Sequence, residues 1–450
     1  MIPFFKYIRP LWYFNLSPKN GNIPYWCEVP KNLGHLVDKN VSYRSAQVLK
    51  MDLAYQLWSA GYIAPSIDGQ LEYNETKITV KDNYILLARF VKKQWIFIVC
   101  FFRLLELKNP VLEIMGLLNA LTIHKVKDKP LKDFLKLQQD ENWNTFNSTL
   151  IKKNPLVSVI IPTLNRYRFL KDVFRDLEKQ NYKNFEVIVV DQTDAFDTNV
   201  YEGWSLNLKF WKQDEKALWL ARNTAIQSAK GEFILLYDDD SLIEPDWIEN
   251  HLRCIDFYQA EISSGASISV IGGEVPSHYS YFRWSDQIDT GNVLIKRSVF
   301  KQIGLFDCQF EKQRMGDGEF GLRAYINGFK NISNPKSKRI HLKVSEGGLR
   351  QMGSWDAWRP KGLFAPRPVP SVLYLSRKYF GLKSTIWEIM LNVPSTFVPY
   401  RFKSNKKMKF LYTFVLILLL PILFVTVSRS WCLSNKKMKI GSLIGSFENR

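Results

Sequence analysis

Near its middle, the chain has the sequence Phe233-Ile234-Leu235-Leu236-Tyr237-Asp238-Asp239-Asp240-Ser241. The apolar residues predict a buried strand, and three aspartates follow where it ends. Neighbouring carboxylates that lose solvation repel one another, so a cation or strong hydrogen-bond donors must compensate them. Because Mg²⁺ and Mn²⁺ prefer carboxylate and phosphate oxygens, the stretch indicates a metal site beside a diphosphate. A solvated acidic turn before a helix at Pro245 and Asp246 is the alternative.

The flanking sequence alternates between apolar runs and helical periodicity. Val157–Ile161 and Phe185–Val190 predict two more buried strands, whereas Tyr167–Gln180 and Ala217–Ala229 predict helices. This alternation implies βαβ units and a parallel sheet with ligands at the carboxyl ends of its strands. Asp191 and the three aspartates both follow such ends, and this coincidence strengthens the prediction of a site there.

Composition limits the classes of function. A net charge of +19 requires an acidic partner, which is nucleic acid, anionic lipid or a phosphorylated substrate. Much of this charge lies beside membrane-like apolar segments and no nucleic-acid-binding fold signature is present, so we expect no nucleic acid partner. The 5 cysteines are scattered and have no paired spacing, which indicates a reducing compartment and no zinc or disulfide framework.

An apolar segment near the end of the sequence predicts a membrane helix. Residues 410–428 are long enough to reach across or embed in a bilayer, with Pro421 inside. Lysines flank it on both sides, at Lys406, Lys407, Lys409, Lys436, Lys437 and Lys439. Such clusters are typical of anionic headgroups, although a buried core helix is the alternative. Because both flanks are basic, the sequence predicts no orientation, and the helix either spans or returns.

A series of segments resembles the family 2 glycosyltransferases. They follow the family's order over about residues 155–350, as Val157–Arg166, Glu186–Asp191, Leu220–Glu232, Tyr237–Ser241, Gly291–Arg297, Gly304–Asp307 and Gly316–Arg323. Tyr237–Ser241 stands where the family carries its DxD motif, and Gly316–Arg323 matches the block that bears the catalytic base. The resemblance implies an α/β GT-A fold, with a mostly parallel sheet and flanking helices. It also implies inversion at the anomeric carbon and a nucleotide-sugar donor, UDP- or GDP-linked.

The resemblance also implies a set of site residues. Mn²⁺ or Mg²⁺ is expected on Asp238, Asp240 and His341. Donor contacts are expected from Pro162, Thr163, Arg166, Asp191, Arg222, Asp238, Asp239 and Arg350. Structural roles are the alternatives, above all a surface arginine at 222 and a structural histidine at 341.

The catalytic base is expected in the segment Gly316-Asp317-Gly318-Glu319. Direct displacement needs one carboxylate to take the proton of the acceptor hydroxyl, and we predict Asp317, with Glu319 in reserve. The family usually has glutamate where this chain has Gly316, so the match departs there. The alternative for Asp317 is a helix N-cap, and both roles are compatible.

The chain is therefore predicted to have five segments. These are a mostly helical accessory region over 1–150, the glycosyltransferase domain over 155–350, an amphipathic juxtamembrane segment over 351–409, the membrane helix over 410–428 and a basic tail over 429–450. The predicted function is membrane-associated sugar transfer to a glycan or lipid-linked acceptor in cell-surface polysaccharide synthesis, with the catalytic domain facing the cytoplasm. The alternatives are an inactive glycan-binding or scaffold protein and a nucleotidyltransferase.

Overall fold

The computed structural model describes residues 2–21, 23–64, 78–270, 275–348, 357–360, 362–398, 402 and 405–447. Two compact units divide the chain. Unit 1 comprises Met1–Asn147, Pro276–Asp286 and Tyr325–Ser333, and unit 2 comprises Ser148–Val275, Gln287–Ala324 and Asn334–Arg450.

Unit 1 is built mainly of helices, which confirms the prediction of a helical N-terminal region. They are α1 (Ala46–Ser59), α2 (Val80–Phe90), α3 (Lys93–Leu105), α4 (Pro110–Leu121) and α5 (Lys129–Thr145). The side chains of Ser45 and Asn109 cap α1 and α4 by accepting from backbone N–H groups of the first turn. A buried ion pair joins Arg89 of α2 to Asp52 of α1 and to Asp38, so charge as well as apolar packing holds these helices together.

Unit 2 contains a sheet with helices on its faces. Its strands are β1 (Val157–Thr163), β2 (Phe185–Asp191), β3 (Leu208–Lys212), β4 (Phe233–Tyr237), β5 (Ser241–Ile243), β6 (Ile262–Ser269), β8 (Asn292–Lys296) and β9 (Asn331–His341, which begins in unit 1), while β7 (Arg283–Trp284) belongs to unit 1. Its helices are α6 (Thr149–Lys153), α7 (Tyr167–Glu178), α8 (Leu218–Ser228), α9 (Trp247–Tyr258), α10 (Arg297–Ile303), α11 (Gly316–Ile326, which ends in unit 1), α12 (Pro370–Tyr379), α13 (Gly381–Asn392) and α14 (Lys406–Ile440).

The strand order is β3-β2-β1-β4-β8-β6-β9-β5. Strands β3, β2, β1 and β4 pair in parallel, whereas β8 pairs antiparallel with β4 and β6, and β5 pairs antiparallel with β9. Every residue of β1, β2 and β4 is buried, as expected for parallel strands covered by helices on both faces. The predicted α/β fold with flanking helices is confirmed, and the sheet is mixed rather than mostly parallel, because the parallel pairing is confined to the first four strands of the order.

The amphipathic helix α7 covers one face of the parallel strands. It buries Leu170, Val173, Phe174 and Leu177 against the apolar side chains of β1, β2 and β4. These positions recur every three or four residues, so one stripe of the helix faces the sheet. The packing fixes the carboxyl ends of the strands, where Asp191 and the three aspartates lie.

The last helices of unit 2 pack against the rest of the unit. In α12, residues 370–376 are all buried, so this part of the predicted juxtamembrane segment packs as a domain helix. The predicted basic tail is likewise docked, because Ser430 donates to the Pro368 carbonyl at 2.6 Å and Lys437 donates to the Gln309 carbonyl at 2.5 Å. Arg377 of α12 also donates to the Asn435 side chain of α14 at 2.7 Å.

The first half of α14 has a different surface. Leu418 and Phe424 are 80% and 73% exposed, while Ser430 and Ser434 in the second half are fully buried. Within the described residues, one helix is long and apolar enough to cross a bilayer, Phe414–Ile440. The apolar surface thus lies in the part that overlaps the predicted span, and the polar face holds the helix to unit 2.

Candidate active site

The acidic stretch and His341 meet where β4 ends. Strand β5 follows the aspartates directly and pairs with β9, which sets Ser241 opposite His341. The imidazole Nε2 of His341 lies 3.2 Å from Oδ1 of Asp240. Asp238, Asp240 and His341 each offer a ligand atom, and these atoms all lie within 4.8 Å of one another. Long-range strand pairing therefore assembles the three predicted metal ligands.

Asp238 lies between two arginines. Arg222 of α8 donates to Oδ1 at 3.0 Å, and Arg339 of β9 donates to Oδ2 at 2.7 Å. Arg339 also donates to Asp289 at 2.8 Å. Burial alone would lower the pKa of Arg339, but Asp289 and Asp238 raise it above its ordinary value. A Cβ at Gly291 would lie 2.2 Å from both Arg339 and Asp238, so only glycine leaves room for this pair.

Asp239 is buried and points to the loop after β1. The hydroxyl of Thr163 donates to its Oδ2 at 2.8 Å, and Arg166 donates to its Oδ1 at 2.9 Å. Burial raises the pKa of Asp239 to about 6, against the opposing charge of Arg166. Arg166 also contacts Asp240 at 3.3 Å and donates to the carbonyl of Glu346. This one guanidinium thus joins the acidic stretch to the segment after β9.

Asp191 ends β2 opposite Thr163 in the register. Its carboxylate accepts from the hydroxyls of Tyr167 and Tyr201 at 2.6 and 2.7 Å and from the Thr193 N–H at 2.9 Å. A carboxylate offers about four acceptor positions, so one remains for a further donor such as a ring N–H. Burial and the bond to Asp191 raise the pKa of both tyrosines, which stay neutral donors.

We define the strand-end cluster as Asp238, Asp239, Asp240, Asp289, Arg166, Arg222, Arg339 and His341. Its four carboxylates outnumber its three guanidinium groups. Two carboxylates and an imidazole are ligands that Mn²⁺ and Mg²⁺ accept, and a divalent ion would offset the remaining negative charge. The residues therefore fit the metal that the resemblance implies.

Asp317 lies in the first turn of α11 and is half-buried, and its carboxylate accepts from the Gly318 N–H at 2.7 Å. The preceding residue explains the departure from the family pattern. A Cβ at Gly316 would lie 2.3 Å from the Trp219 ring, which is buried and donates to the Phe310 carbonyl. The indole fills the space that a side chain at 316 would need. Trp219 also lies under Arg222, 5.3 Å from ring centroid to guanidinium, which links the start of α11 to the strand-end cluster.

Glu319, the predicted reserve base, is bound by a separate group of side chains, and its catalytic role stays a prediction. Its carboxylate is fully buried, and Arg323 binds both oxygens at 2.9 to 3.3 Å. Tyr379 and Lys378 of α12 donate to the same carboxylate. Lys378 and Tyr374 also contact Asp307. We define the helix cluster as Asp307, Glu319, Arg323, Tyr374, Lys378 and Tyr379; its two carboxylates are balanced by two cations.

The remaining predicted residues have different positions. Pro162 is buried inside β1 opposite Val190 and shapes the strand end. Arg222 is 2% exposed and tied to Asp238, so it is not the surface arginine of the alternative. Arg350 lies outside the described residues. Sequence reasoning missed Arg339, although it is two residues before His341 and such residues share a face of a strand.

The part of the chain that contains this site is similar to known proteins. Residues 158–313 match the family model "Glycosyl transferase family 2". The chain is 30% identical over 220 residues to the putative glycosyltransferase EpsH of Bacillus subtilis, covering 44% of this chain and 64% of EpsH. It is 26% identical over 227 residues to the glycosyltransferase GlyA of Streptococcus pneumoniae, covering 46% of this chain and 33% of GlyA. The chain thus spans less than two thirds of each of these relatives.

Solved structures are also similar. A crystal structure of S. aureus TarS 1–349 in complex with UDP-GlcNAc has a TM-score of 0.41 at 20% identity, covering 62% of this chain and 81% of that chain. The mannosyltransferase PcManGT from Pyrobaculum calidifontis, in complex with GDP-Man and Mn²⁺, has a TM-score of 0.41 at 16% identity, covering 68% and 93%. Residues 158–313, a range that contains the acidic stretch and most of the parallel strands, are thus similar to the glycosyltransferases of family 2.

Proposed function

We propose that this chain is a membrane-attached, inverting glycosyltransferase that uses a nucleotide-diphosphate sugar and a divalent cation. The observation that carries the proposal is the convergence of Asp238, Asp240 and His341 within 4.8 Å at the end of β4. A bound Mn²⁺ or Mg²⁺ would supply positive charge to the departing diphosphate. UDP- and GDP-linked sugars are the donors that we expect, because TarS and PcManGT were solved with such molecules.

The neighbouring residues hold the rest of the donor. Asp191, between its two tyrosines, accepts from a ring N–H of the nucleobase, with Thr163 beside it. Arg166 neutralises Asp239 and Asp240 without the donor, and it is positioned to move onto a diphosphate oxygen when the donor binds. Because guanidinium pairs well with phosphate, this exchange costs little electrostatic free energy.

Asp317 is proposed as the base. It removes the proton from the acceptor hydroxyl as that oxygen attacks the anomeric carbon, and the bond from this carbon to the diphosphate breaks on the opposite face. The resulting proton stays on the Asp317 carboxyl until it exchanges with water. The N-terminal end of α11 favours the charged carboxylate before the reaction, so the base starts deprotonated.

The acceptor is proposed to be a glycan or a lipid-linked saccharide in cell-surface polysaccharide synthesis. Support comes from the exposed apolar first half of α14, which would hold the chain at the membrane where such acceptors are found. The catalytic domain would then face the cytoplasm, where nucleotide sugars are made. Binding through α14 also makes membrane lipids a partner.

The test is donor binding and turnover with purified full-length protein. Nucleotide sugars are screened with Mn²⁺ and with Mg²⁺ for a rise in melting temperature, because a ligand of the folded state stabilises it by mass action. Asp240→Asn should remove the metal-dependent rise and lower turnover by roughly a hundredfold or more. Asp194→Asn is the control, since this carboxylate is 71% exposed and pairs only with the side chain of Lys216 among the ion pairs of the described residues.

Two outcomes would contradict the proposal. Full activity of Asp240→Asn with added metal would rule out the metal site. Donor binding without turnover, across all acceptors tried, would instead favour the inactive glycan-binding alternative. A nucleotidyltransferase would release diphosphate from a nucleoside triphosphate, which the same protein preparation can test.

A further inference from the structure

The hairpin of α3 and α4 in unit 1 exposes an unusually large apolar surface. Between residues 97 and 118, ten large apolar side chains are at least one third exposed. The most exposed are Phe101, Leu107, Val111, Met115 and Leu118, at 54% to 92%. They recur at helical spacing in α3 and α4 and continue into the turn between these helices, so the hairpin carries an extended apolar surface rather than scattered positions. A patch of this kind normally marks an interaction site.

The opposite side of the hairpin is well packed, so the exposed face is not a sign of a poorly formed element. Glu113 of α4 is fully buried and pairs with Arg103 of α3 at 2.6 Å. The hydroxyl of Tyr84 of α2 donates to the same carboxylate at 2.9 Å. A Cβ at Gly116 would lie 2.4 Å from the Tyr84 ring, so glycine permits the close approach of α4 to α2. The apolar face is thus held rigidly outward.

Charge identifies the kind of partner. Only two acidic residues occur between positions 92 and 127, and both are turned inward: Glu113 as above and Glu106 toward the hydroxyl of Tyr7. The exposed charges in the same interval are all basic, at Lys92, Lys93, Lys108, Lys125 and Lys127. A face with apolar side chains in its middle and only lysines around it matches anionic headgroups over an acyl layer.

A cavity at the end of the hairpin opposite the turn has the same amphipathic character. Its volume is about 250 Å³. Ala88, Ile96 and Ala120 line its apolar part, while Lys93 and Lys125 stand at its polar part. An apolar pocket beside two lysines is suited to the glycerol and phosphate region of a phospholipid.

We propose that the α3–α4 face binds the surface of an anionic bilayer and lies in its interface. This contact is independent of α14 and belongs to a different unit of the chain. It rests on no property of the strand-end cluster, so it can fail while the proposed sugar transfer stands. Interfacial helices with an apolar face and lysine borders bind more strongly as the fraction of anionic lipid rises.

The test uses the full chain with one environment-sensitive fluorophore. In a Cys432→Ser background, Met115→Cys carries an NBD label on the proposed face, and Lys136→Cys carries it on an exposed polar position of α5. Phe424→Cys reports separately on α14. Vesicles of phosphatidylcholine alone, or mixed equally with phosphatidylglycerol, are added at low and high salt.

We expect the label at position 115 to shift to the blue, and to be quenched by bilayer-embedded bromolipid, only with phosphatidylglycerol vesicles. The label at 136 should not respond. Replacing Lys108, Lys125 and Lys127 by glutamine should weaken the vesicle binding reported by the label at position 115 by roughly a hundredfold. Replacing Lys136, Lys152 and Lys153 by glutamine should not weaken it. No response at 115 overturns the proposal, whether or not 424 responds. A blue-shifted label without vesicles, on a protein that elutes as a dimer, also overturns it and assigns the face to a second copy.

Discussion

The strand-end cluster and the helix cluster are both buried groups of acids in unit 2, yet their charge balance differs. In the helix cluster, Arg323 and Lys378 balance Asp307 and Glu319. In the strand-end cluster, the four carboxylates outnumber the three guanidinium groups, and three of its ligand atoms converge. A buried acid therefore does not indicate catalysis by itself. An acidic cluster that still needs a cation is the better indicator of a metal site.

The largest expected effect distinguishes the catalytic role proposed for Asp317 from the structural role of Glu319, which lies two residues later in α11. Asp317→Asn should lower turnover about a thousandfold and leave donor affinity unchanged, because it removes only the proton acceptor. Steady-state kinetics together with donor titration measure both quantities. Asp214→Asn, at a carboxylate that is 91% exposed, is the control. Equal losses in turnover and donor affinity would indicate that Asp317 acts only as a helix cap.

The next effect tests the helix cluster as a structural element. Glu319→Gln should lower the free energy of unfolding by about 3 kcal/mol, because Arg323 then lacks a buried counter-charge and the carboxylate of Asp307 is left to balance two cations. Chemical denaturation measures this loss. Glu202→Gln, at an exposed position, should change the stability little. If Glu319→Gln keeps full stability and loses turnover instead, Glu319 is the base and the comparison is wrong.

Gly316→Ala tests the space that Trp219 fills. The added methyl group meets a buried indole, so we expect a loss of about 2 kcal/mol from overpacking. Combining it with Trp219→Phe should recover part of the loss, since the smaller ring no longer reaches position 316. Thermal unfolding of both variants measures this. If the double variant is less stable than the sum of the single changes predicts, the proposed steric conflict is refuted.

The smallest expected effect is the contribution of a buried histidine to the pH dependence of stability, which must be distinguished from that of the buried acids. Burial lowers the pKa of His251 to about 4, and it bonds to Ser263 and Asn292. The unfolded chain binds a proton at pH 5.5 that the folded chain does not, so stability falls between pH 7 and 5.5 by about 1 kcal/mol. Asp239, whose pKa is raised to about 6, acts with the opposite sign in this interval.

The prediction therefore concerns the difference in pH-dependent stability between the wild type and His251→Gln. The loss between pH 7 and 5.5 should be about 1 kcal/mol larger in the wild type than in His251→Gln, as measured by urea denaturation. His35→Gln, at an exposed histidine, should follow the wild type. Identical pH dependence in wild type and His251→Gln would mean that the buried imidazole does not titrate as expected.

The sequence predicts the parallel strands and the acids at their ends because both are local patterns. Apolar runs followed by Asp191 or Asp238 place each acid at the same edge of a sheet. Arg339 and Asp289 were not predicted because antiparallel pairing with distant parts of the chain brings Arg339 to Asp238 and brings Asp289 to Arg339. The contacts of Glu319 could not be predicted for the same reason, since Tyr379 is sixty residues away.

Hydrogen bonds join the last described residues of the chain to the segment before α11. Leu305 donates to the Gly445 carbonyl, Cys308 donates to the Leu443 carbonyl, and Leu443 donates to Asp307. These hydrogen bonds hold the end of α14 in a fixed position against unit 2. If its first half is embedded in a bilayer, the reaction centre stands at a constant height above the lipid. Acceptors would then be selected by the distance between their growing end and the bilayer surface, so the fixed position of α14 would set the length of glycan that the enzyme accepts.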